Sequence, residues 1–526
     1  MKKILFLYGQ VMCLSIFFNA NLTAAAKWTF IVYIAGDNSL DTSLGGDQLR
    51  RDINKMETAD NSTDVNIIVL ADKNGDENTY IYKIQHDTDT YTINTPTKSV
   101  SEELLPSTTN ELNTGDPSTL VVFSTWTMAI ANYPAENYCL VVWNHGGGWW
   151  PKSPKLKKGI AWDDTSDNDY LTMAELETAL SQIKTYLGKN IDIVGLDACL
   201  MSQIEVAYQI KDCADYIVAS EENEQGWPYD GILTELISNP NYDPKTLSQK
   251  IVEIWDKAYS DDTVSYFSTI LENRTASAID LSQIGNLATA INNFADELKA
   301  TKKTVPLYLI RDTVDYFGSS GNDIYGGVDL YDLAYIVEQN PDLDSAGLRN
   351  ASNSVMNSVN TCVIANRVGN QHKNSHGLSI NFPKTKDAWE NWNNPPDPDT
   401  DPPSVSTTPY VNLSFCQATN WDEFLADYYS KVLYGPQSLN YVVSAPNPYN
   451  PSTGNLTIKN FPDNSVIELK IYNLEGMSVR KLTGSGTFIE WDGKNENGST
   501  VASGIYFYVA KTQNDSTKGK ITVLKK

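Results

Sequence analysis

A cysteine and a histidine that each follow a short apolar run could together perform acyl transfer. His145 comes directly after the run 138–144, and Cys199 comes shortly after the run 191–196. A cysteine reacts as its thiolate, and a neighbouring histidine can accept the thiol proton or stabilise the anion. We therefore expect Cys199 and His145 to form a catalytic pair. The alternative is a buried structural cysteine beside a loop histidine.

The residue after the histidine is suited to the same chemistry. Gly146 opens a run of three glycines, and a glycine allows a carbonyl substrate to approach backbone N–H groups closely. The Gly146 amide is therefore a candidate donor of an oxyanion hole, which stabilises the negative charge that develops during acyl transfer.

Strands separated by a helix must bring these residues together. Apolar positions recur at helical spacing over 171–187, and Thr172 with Glu175 forms a candidate capping box. Alternating strands and helices indicate an α/β fold with a mostly parallel sheet flanked by helices, whose strands end at a common catalytic edge. The predicted strands of this part are Trp28–Ala35, Val65–Ala71, Thr119–Phe123, Tyr138–Trp143 and Ile191–Leu196.

The last part of the chain has a different pattern. The segment 393–409 is rich in Pro and Asp and is predicted to be a loop or linker. Beyond a second boundary at 435–442, short alternating runs and the turn signal Asn497-Gly498 predict a small all-β sandwich over 443–526. The region that precedes this boundary then spans 27–434.

Composition excludes several classes of protein. The 526 residues are 41% hydrophobic and 20% charged, which indicates several globular domains rather than a disordered or collagen-like chain. The formal net charge of −25 would repel nucleic acid, so we expect no nucleic-acid partner.

The N-terminus indicates export. Residues 1–26 combine Lys2 and Lys3, an apolar stretch and a small-residue end, as a signal peptide does. Loss of this segment leaves five cysteines, an odd number that requires at least one free thiol. The sequence leaves open whether Cys139 and Cys213 form a disulfide.

Several motifs in order resemble the clostripain family of the caspase-like clan of cysteine peptidases. The resemblance covers roughly residues 27–434, and its motifs are WTFIVYIAGDNSLD, YPAENYCLVVWNHGGGW, GIAWDDTSDNDYLTMAEL, VGLDACLMSQIEVAYQI, ASEENEQGWPYDGIL and HGLSINFP. It implies a caspase-like fold with Cys199 as the nucleophile and His145 as the general acid/base. The oxyanion donors it implies are the amides of Gly146 and Cys199.

The resemblance also implies cleavage of proteins or peptides after Arg or Lys, with Asp197 as the acidic residue of the S1 pocket. A carboxylate suits bidentate recognition of arginine. Glu221 and Glu222, which follow the next predicted strand together with Glu224, are further candidates for substrate binding. The alternative for these glutamates is a solvated acidic loop.

A lysine-rich segment between the histidine and the cysteine is a candidate processing site. Residues 152–158 contain four lysines in an otherwise acidic chain, and the Pro, Gly and charged residues there predict an exposed loop. Because enzymes that this chain resembles mature by cutting themselves in this interval, we expect autocleavage after Lys157 or Lys158. A basic surface loop is the alternative.

The dyad chemistry requires no cofactor, but calcium is a candidate ligand. The run DDTSDND contains Asp163 and Asp164, and hard cations bind carboxylate oxygens. The alternative is that these acids stabilise the N-terminus of the helix that follows.

The C-terminal sandwich resembles the immunoglobulin-like terminal domain of proteins exported by type IX secretion. The motifs are PNPYNPSTGNLTIKNF, ELKIYNLEGMSVRKL, EWDGKNENGSTVASGIYFYVA and KGKITVLKK. The resemblance implies a sorting or attachment module that engages the secretion machinery and has no catalytic role.

These observations predict a secreted or cell-surface cysteine endopeptidase. Two alternatives stay open: a catalytically silent surface-binding protein with the same fold, and a clan relative with a different P1 preference. His376 precedes a glycine as His145 does, but no cysteine motif accompanies it, so we expect a structural role for it.

Overall fold

The computed structural model describes ten segments of the chain. They are residues 25–42, 47–104, 110–149, 159–260, 270–318, 326–393, 409–431, 442–461, 466–512 and 516–525. Most of the predicted export segment, the Lys-rich loop, most of the Pro/Asp-rich segment and most of the second boundary lie outside them.

Strands and helices alternate through the first three quarters of the chain. The strands here are β1 (Ala26–Ala35), β2 (Val65–Asp72), β3 (Tyr80–Lys83), β4 (Thr97–Ser99), β5 (Ala135–Trp143), β6 (Ile160–Asp163), β7 (Asp169–Leu171), β8 (Ile191–Asp197), β9 (Ala214–Ala219), β10 (Thr275–Asp280), β11 (Gly327–Asp329), β12 (Val363–Val368) and β13 (Ser379–Asn381). The helices are α1 (Gln48–Glu57), α2 (Val100–Glu103), α3 (Pro117–Met128), α4 (Met173–Leu187), α5 (Ile204–Ile210), α6 (Tyr229–Ser238), α7 (Pro244–Ser260), α8 (Ile284–Thr301), α9 (Thr304–Arg311), α10 (Leu330–Gln339), α11 (Ala346–Cys362), α12 (Lys386–Asn393), α13 (Ser414–Ala418) and α14 (Trp421–Lys431). Within the described segments, no helix has the length and apolarity needed to cross a membrane.

A nine-stranded mixed sheet forms the centre of this region. Its order is β12-β10-β9-β8-β5-β1-β2-β3-β4. The five strands from β9 to β2 pair in parallel, and both edges are extended by antiparallel pairs. The predicted α/β fold with a parallel core is confirmed, and the edges make the sheet mixed.

The apolar runs form strands because both faces of the sheet are covered. Along β1, Ile31 and Tyr33 pack into one hydrophobic core, whereas Phe30 and Val32 pack into the other. Helices α3, α4, α8 and α11 contribute to the first core, and α1, α6 and α7 contribute to the second. Strands buried on both faces therefore read as continuous apolar sequence.

Two helices illustrate how local signals decide structure. The predicted capping box is present at the start of α4, where Thr172 and Glu175 exchange hydrogen bonds. The predicted strand Thr119–Phe123 is wrong, because these residues lie within α3. Asp116 caps that helix through the Ser118 amide, and Pro117 occupies its first turn, which outweighs the β-branched residues that follow.

The C-terminal region is an all-β sandwich of two sheets. One sheet has the order β14-β15-β18 and the other β17-β16-β19-β20. Ile458, Trp491 and Tyr508 are among the buried residues of their shared core. The predicted all-β fold of this region is confirmed. The strands are β14 (Val443–Ala445), β15 (Leu456–Lys459), β16 (Val466–Tyr472), β17 (Ser478–Ser485), β18 (Phe488–Trp491), β19 (Gly504–Lys511) and β20 (Ser516–Val523).

Candidate active site

The predicted dyad residues leave the sheet at the same edge. Strands β5 and β8 are adjacent and parallel, and their register places Trp143 beside Asp197. The Asn144 amide also donates to the Asp197 carbonyl at 3.2 Å, which extends this pairing past the end of β5. His145 and Cys199 therefore begin neighbouring loops at the carboxyl ends of two parallel strands.

Gly146 lies against the backbone of the cysteine. A Cβ atom at this position would lie 2.2 Å from the Cys199 carbonyl oxygen and 2.7 Å from its amide nitrogen. Such distances are shorter than van der Waals contact with fixed backbone atoms, so only glycine fits here. The two amides implied as oxyanion donors thus belong to backbone segments in direct contact.

Cys199 differs from the other described cysteines in its exposure. All five are free thiols, but Cys199 alone is partly exposed, whereas Cys139, Cys213, Cys362 and Cys416 are buried. Its Sγ donates to the Glu224 carbonyl at 3.8 Å. Burial, followed by the carboxylates of Glu222 and Asp197, raises the pKa of the Cys199 thiol. A proton acceptor is therefore needed to form the thiolate in this environment.

A serine contacts the candidate base. Ser39 Oγ lies 2.9 Å from His145 Nε2. Ser39 begins a short 3-10 turn after β1, and Asn38 caps this turn through the Leu40 amide. This contact, which sequence reasoning missed, orients the imidazole ring through one of its nitrogens. Ser39 lies within the motif WTFIVYIAGDNSLD, but the motif gave it no separate role.

The turn after the nucleophile is held in an unusual backbone conformation. Leu200 has a φ of +64°, which is uncommon for a residue with a bulky side chain. Its amide donates to the Glu222 carbonyl at 3.2 Å. The loop that follows β9 therefore supports the turn that carries Cys199.

Asp197 lies in a buried polar environment at the end of β8. Its side chain is 3% exposed, and its Oδ2 accepts hydrogen bonds from the Tyr229 hydroxyl at 2.7 Å and the Trp227 amide at 3.3 Å. Burial, followed by the charge of Asp52, raises the pKa of Asp197 to about 7. The carboxyl group can thus exchange a proton near neutral pH.

Two further acids, Asp52 and Glu224, lie beside Asp197. Asp52 and Asp197 both approach Gly226: a Cβ atom added to this glycine would lie 3.7 Å from Asp52 Oδ2 and 3.9 Å from Asp197 Oδ1. Asp52 also accepts from the Trp143 ring N–H at 2.9 Å and pairs with Lys55 at 2.7 Å. Asp52 is carried by α1, far from Asp197 in sequence, and no motif pointed to it.

Glu224 is the second neighbouring acid. Burial, followed by the charges of Asp197 and Cys199, raises the pKa of Glu224 well above its ordinary value. Its Oε1 is buried and has no hydrogen-bond partner among the described residues. Glu224 and Asp197 therefore form a pair of carboxyl groups that do not readily ionise together.

Glu221 and Glu222, the further candidates for substrate binding, are buried in the fold. They are 1% and 4% exposed. Glu221 accepts hydrogen bonds from the Ser375 hydroxyl and the Gly377 amide, and Glu222 accepts from the Gly318 amide at 3.0 Å. Both carboxylates thus accept hydrogen bonds from within the fold, and their role in substrate binding stays a prediction.

Asp163 belongs to a cluster of four carboxylates. One oxygen from each of Asp37, Asp72, Glu111 and Asp163 lies within 4.8 Å of the others. The three aspartates are buried, and the Oε1 of Glu111 has no hydrogen-bond partner in the described segments. Asp164 is not one of the four; its amide donates to the Asp37 carbonyl. The donor set consists of hard oxygen ligands, which fits Ca²⁺.

The lysines proposed for processing, Lys157 and Lys158, lie outside the described residues. The described chain stops at Trp149 and resumes at Gly159, immediately before β6. The segment therefore connects the glycine turn of the site to the strand that ends at Asp163.

Family models match two regions of the chain. Residues 32–428 match the clostripain family, and residues 445–524 match the type IX secretion signal domain. The first match includes every residue of the candidate site, and the second covers most of the C-terminal sandwich.

Known proteins with similar sequence or structure agree with these matches. Clostripain from Hathewaya histolytica is 26% identical over 492 residues, which cover 78% of this chain and 89% of clostripain. An inactive zymogen C11 protease from Parabacteroides distasonis has a TM-score of 0.53 at 20% identity and covers 75% of this chain and 98% of its own. A secreted C11 cysteine protease from Bacteroides thetaiotaomicron, solved with an irreversible peptide inhibitor, has a TM-score of 0.51 at 20% identity, covering 76% and 100%. Both solved structures support the fold.

Proposed function

Because this chain belongs to the clostripain family of cysteine peptidases, we propose that it cleaves peptide bonds after Arg or Lys, with Cys199 as nucleophile and His145 as general acid/base. The observation that carries this proposal is the register of β5 and β8, which starts the two loops side by side. The fit of Gly146 against the Cys199 backbone supports it further.

The proposed reaction is acyl transfer in two steps. His145 accepts the thiol proton, and Cys199 Sγ attacks the scissile carbonyl carbon to form a tetrahedral oxyanion near the Gly146 and Cys199 amides. The C–N bond then breaks, and His145 protonates the departing amine, leaving a thioester. Water, deprotonated by His145, hydrolyses the thioester and restores the thiol.

Asp197 is the proposed anchor for the basic P1 side chain. Its neighbour Asp52 adds negative charge around the same place, and a guanidinium or ammonium group would offset this charge. In this proposal, part of the energy of substrate binding comes from neutralising acids that the fold buries together.

Hydrolysis of a panel of peptides with Arg, Lys, Asp, Asn or Gln at P1 tests the mechanism and the pocket together. Wild type, Cys199→Ala and the control Cys213→Ala, which removes a buried thiol, are compared. We expect cleavage after Arg or Lys by wild type and Cys213→Ala and none by Cys199→Ala. Cleavage after Asp, Asn or Gln that equals or exceeds cleavage after Arg and Lys would reject the pocket assignment. Failure of a peptide-based electrophile to label Cys199 would favour a catalytically silent binding protein.

We also propose self-processing after Lys157 or Lys158. The support is the basic sequence of this segment and its place between the site glycines and β6. Intact-mass measurement of wild type and Cys199→Ala should show two associated chains only for wild type. A nick in both proteins would contradict self-processing.

Calcium binding is proposed at Asp37, Asp72, Glu111 and Asp163. Asp37 lies two residues before Ser39, which contacts His145, so a cation here would stabilise the loop beneath the general base. Chelator should lower both the melting temperature and the activity, and Asp72→Asn should remove the chelator effect. Unchanged melting and activity with chelator would reject the site.

The C-terminal domain supports export or cell-surface placement through the type IX pathway. We propose a boundary at 435–442 between the peptidase region 27–434 and the domain 443–526, with residues 1–26 as the signal peptide. Helix α14 ends at Lys431 and β14 begins at Val443, which is consistent with this boundary. A truncated chain without 443–526 should remain catalytically active but fail to reach the cell surface.

A further inference from the structure

His372 lies buried between two carboxylates that belong to different parts of the chain. It is 8% exposed, its Nδ1 lies 2.8 Å from Asp315 Oδ1, and its Nε2 lies 3.4 Å from Glu222 Oε2. A ring with an acid at each nitrogen is suited to the doubly protonated state, in which both nitrogens donate. Burial opposes the charge, but the hydrogen bonds to Asp315 and Glu222 outweigh it and raise the pKa of His372 to about 9.

Glu222 connects this histidine to the nucleophile. Its carbonyl accepts the Leu200 amide at 3.2 Å, directly after Cys199, where the backbone has a φ of +64°. Two residues further, the Glu224 carbonyl accepts from Cys199 Sγ at 3.8 Å. The loop that begins at Glu221 is therefore the support on which the Cys199 turn rests.

Other charged groups surround the same loop, mostly acids. Glu221 is buried beside Asp329, and its carboxylate accepts from the Gly377 amide. His376, four residues after His372, pairs with Asp329 at 3.5 Å but is partly exposed. The loop thus carries two buried glutamates, and His372 is placed to offset the charge of the one that supports the nucleophile turn.

We propose that His372 is a positioning residue for the reaction at Cys199: its imidazolium bridges Glu222 and Asp315 and holds in place the loop that supports the nucleophile turn. This inference rests on the proposed role of Cys199. It assigns no contact between His372 and substrate.

The test compares kcat/KM of folded His372→Gln with that of wild type and of His372→Gln/Glu222→Gln. Glutamine leaves Glu222 and Asp315 without the cation, and an unpaired buried charge is costly, so we expect kcat/KM to fall about tenfold or more at neutral pH. In the double variant one of the two charges is removed, and we expect it to regain at least about threefold over His372→Gln. A histidine that served only to fill space would give no such rescue.

His376→Gln is the matched control, because it changes a histidine close in sequence that pairs with Asp329 rather than Glu222. It should stay within about twofold of wild type. Cys199→Ala separates this inference from the function on which it rests: if it still hydrolyses peptides, the proposed function fails. If Cys199→Ala is inactive while His372→Gln matches wild type, or if the double variant shows no rescue, only the positioning role is overturned.

A second variant covers the case in which His372→Gln does not fold. Glu222→Gln removes one of the two acids that favour the imidazolium, so the loss of kcat/KM at alkaline pH should begin at lower pH than in wild type. An unchanged alkaline limb in Glu222→Gln would overturn the proposal.

Discussion

Two groups of buried carboxylates contact the loop that supports Cys199, and they differ in what offsets their charge. Around His372, Glu222 and Asp315 share an internal cation. Around Asp197, the hydrogen-bond donors are the uncharged Tyr229 hydroxyl and Trp227 amide. The first group thus has a cation from within the fold, whereas the second is suited to a cation supplied from outside.

This difference distinguishes acids of similar burial. Lys55 is close to the second group, but it pairs with Asp52, and Asp197 is left beside Glu224. Such a pair is costly to ionise without a partner. A buried acid that already has a cation stabilises the fold, and a buried acid that lacks one is a candidate for ligand binding.

Asp197→Asn should give the largest effect on specificity. The amide keeps the shape of the side chain but removes the charge, so kcat/KM for Arg at P1 should fall about 100-fold or more, while cleavage after Gln changes little. Asp192→Asn is the control, because Asp192 lies on the same strand but pairs with Lys189. An equal loss for both P1 residues would contradict the assignment of Asp197 to substrate binding.

The placement of His145 and Cys199 after neighbouring strands could be predicted from sequence because its signals are local. An apolar strand followed by a histidine and glycines, and a second strand followed by a cysteine, place both residues at strand ends. The orientation of individual acids could not be predicted in this way. Glu221, Glu222 and Glu224 are close in sequence, yet only Glu224 lies beside Asp197, because tertiary contacts with Ser375 and His372 draw the other two inward.

Residues brought together by long-range packing left no sequence signal. Asp52 reaches the site from α1 through the Trp143 ring N–H, and no spacing relates it to Asp197. The carboxylate cluster likewise combines the ends of β1, β2 and β6 with a loop, so the acid-rich run around Asp163 revealed only one of its members. The strand Thr119–Phe123 was wrongly predicted because its β-branched residues favour a strand. Asp116 and Pro117 gave a local signal for the start of a helix.

The acids around His372 should make the free energy of unfolding sensitive to alkaline pH. The pKa of His372 rises from 6.5 to about 9 on folding, so its contribution is fully present below pH 6.5 and is lost as the pH rises through 9. The shift corresponds to roughly 3 kcal/mol of unfolding free energy. Urea unfolding between pH 6 and 10 measures it, with His372→Gln as the variant that should lack this component. Identical pH profiles for the two proteins would show that His372 is not charged in the fold.

The acids around Asp197 should make the P1 preference sensitive to pH near neutrality. As pH rises through about 7, Asp197 ionises and becomes a better partner for arginine. The ratio of kcat/KM for Arg over Gln at P1 should therefore increase about tenfold from pH 5.5 to 8. Asp52→Asn removes the charge that helps to raise the pKa of Asp197, so the midpoint of the P1 ratio in this variant should move to lower pH. A midpoint unaffected by this change would mean that the two carboxyl groups titrate independently.

Tyr229→Phe should produce the smallest change, and it tests how far uncharged donors substitute for a cation. The Tyr229 hydroxyl stabilises ionised Asp197 at 2.7 Å, so its loss should raise the pKa of Asp197 and move the midpoint of the P1 ratio to higher pH. At pH 7 we expect cleavage after Arg to fall about threefold to tenfold. Tyr259→Phe is the matched control, because its hydroxyl donates to the Gly226 carbonyl at 2.7 Å rather than to a carboxylate. Equal shifts in both variants would mean that packing of the aromatic rings, rather than the hydroxyl of Tyr229, controls the ionisation of Asp197.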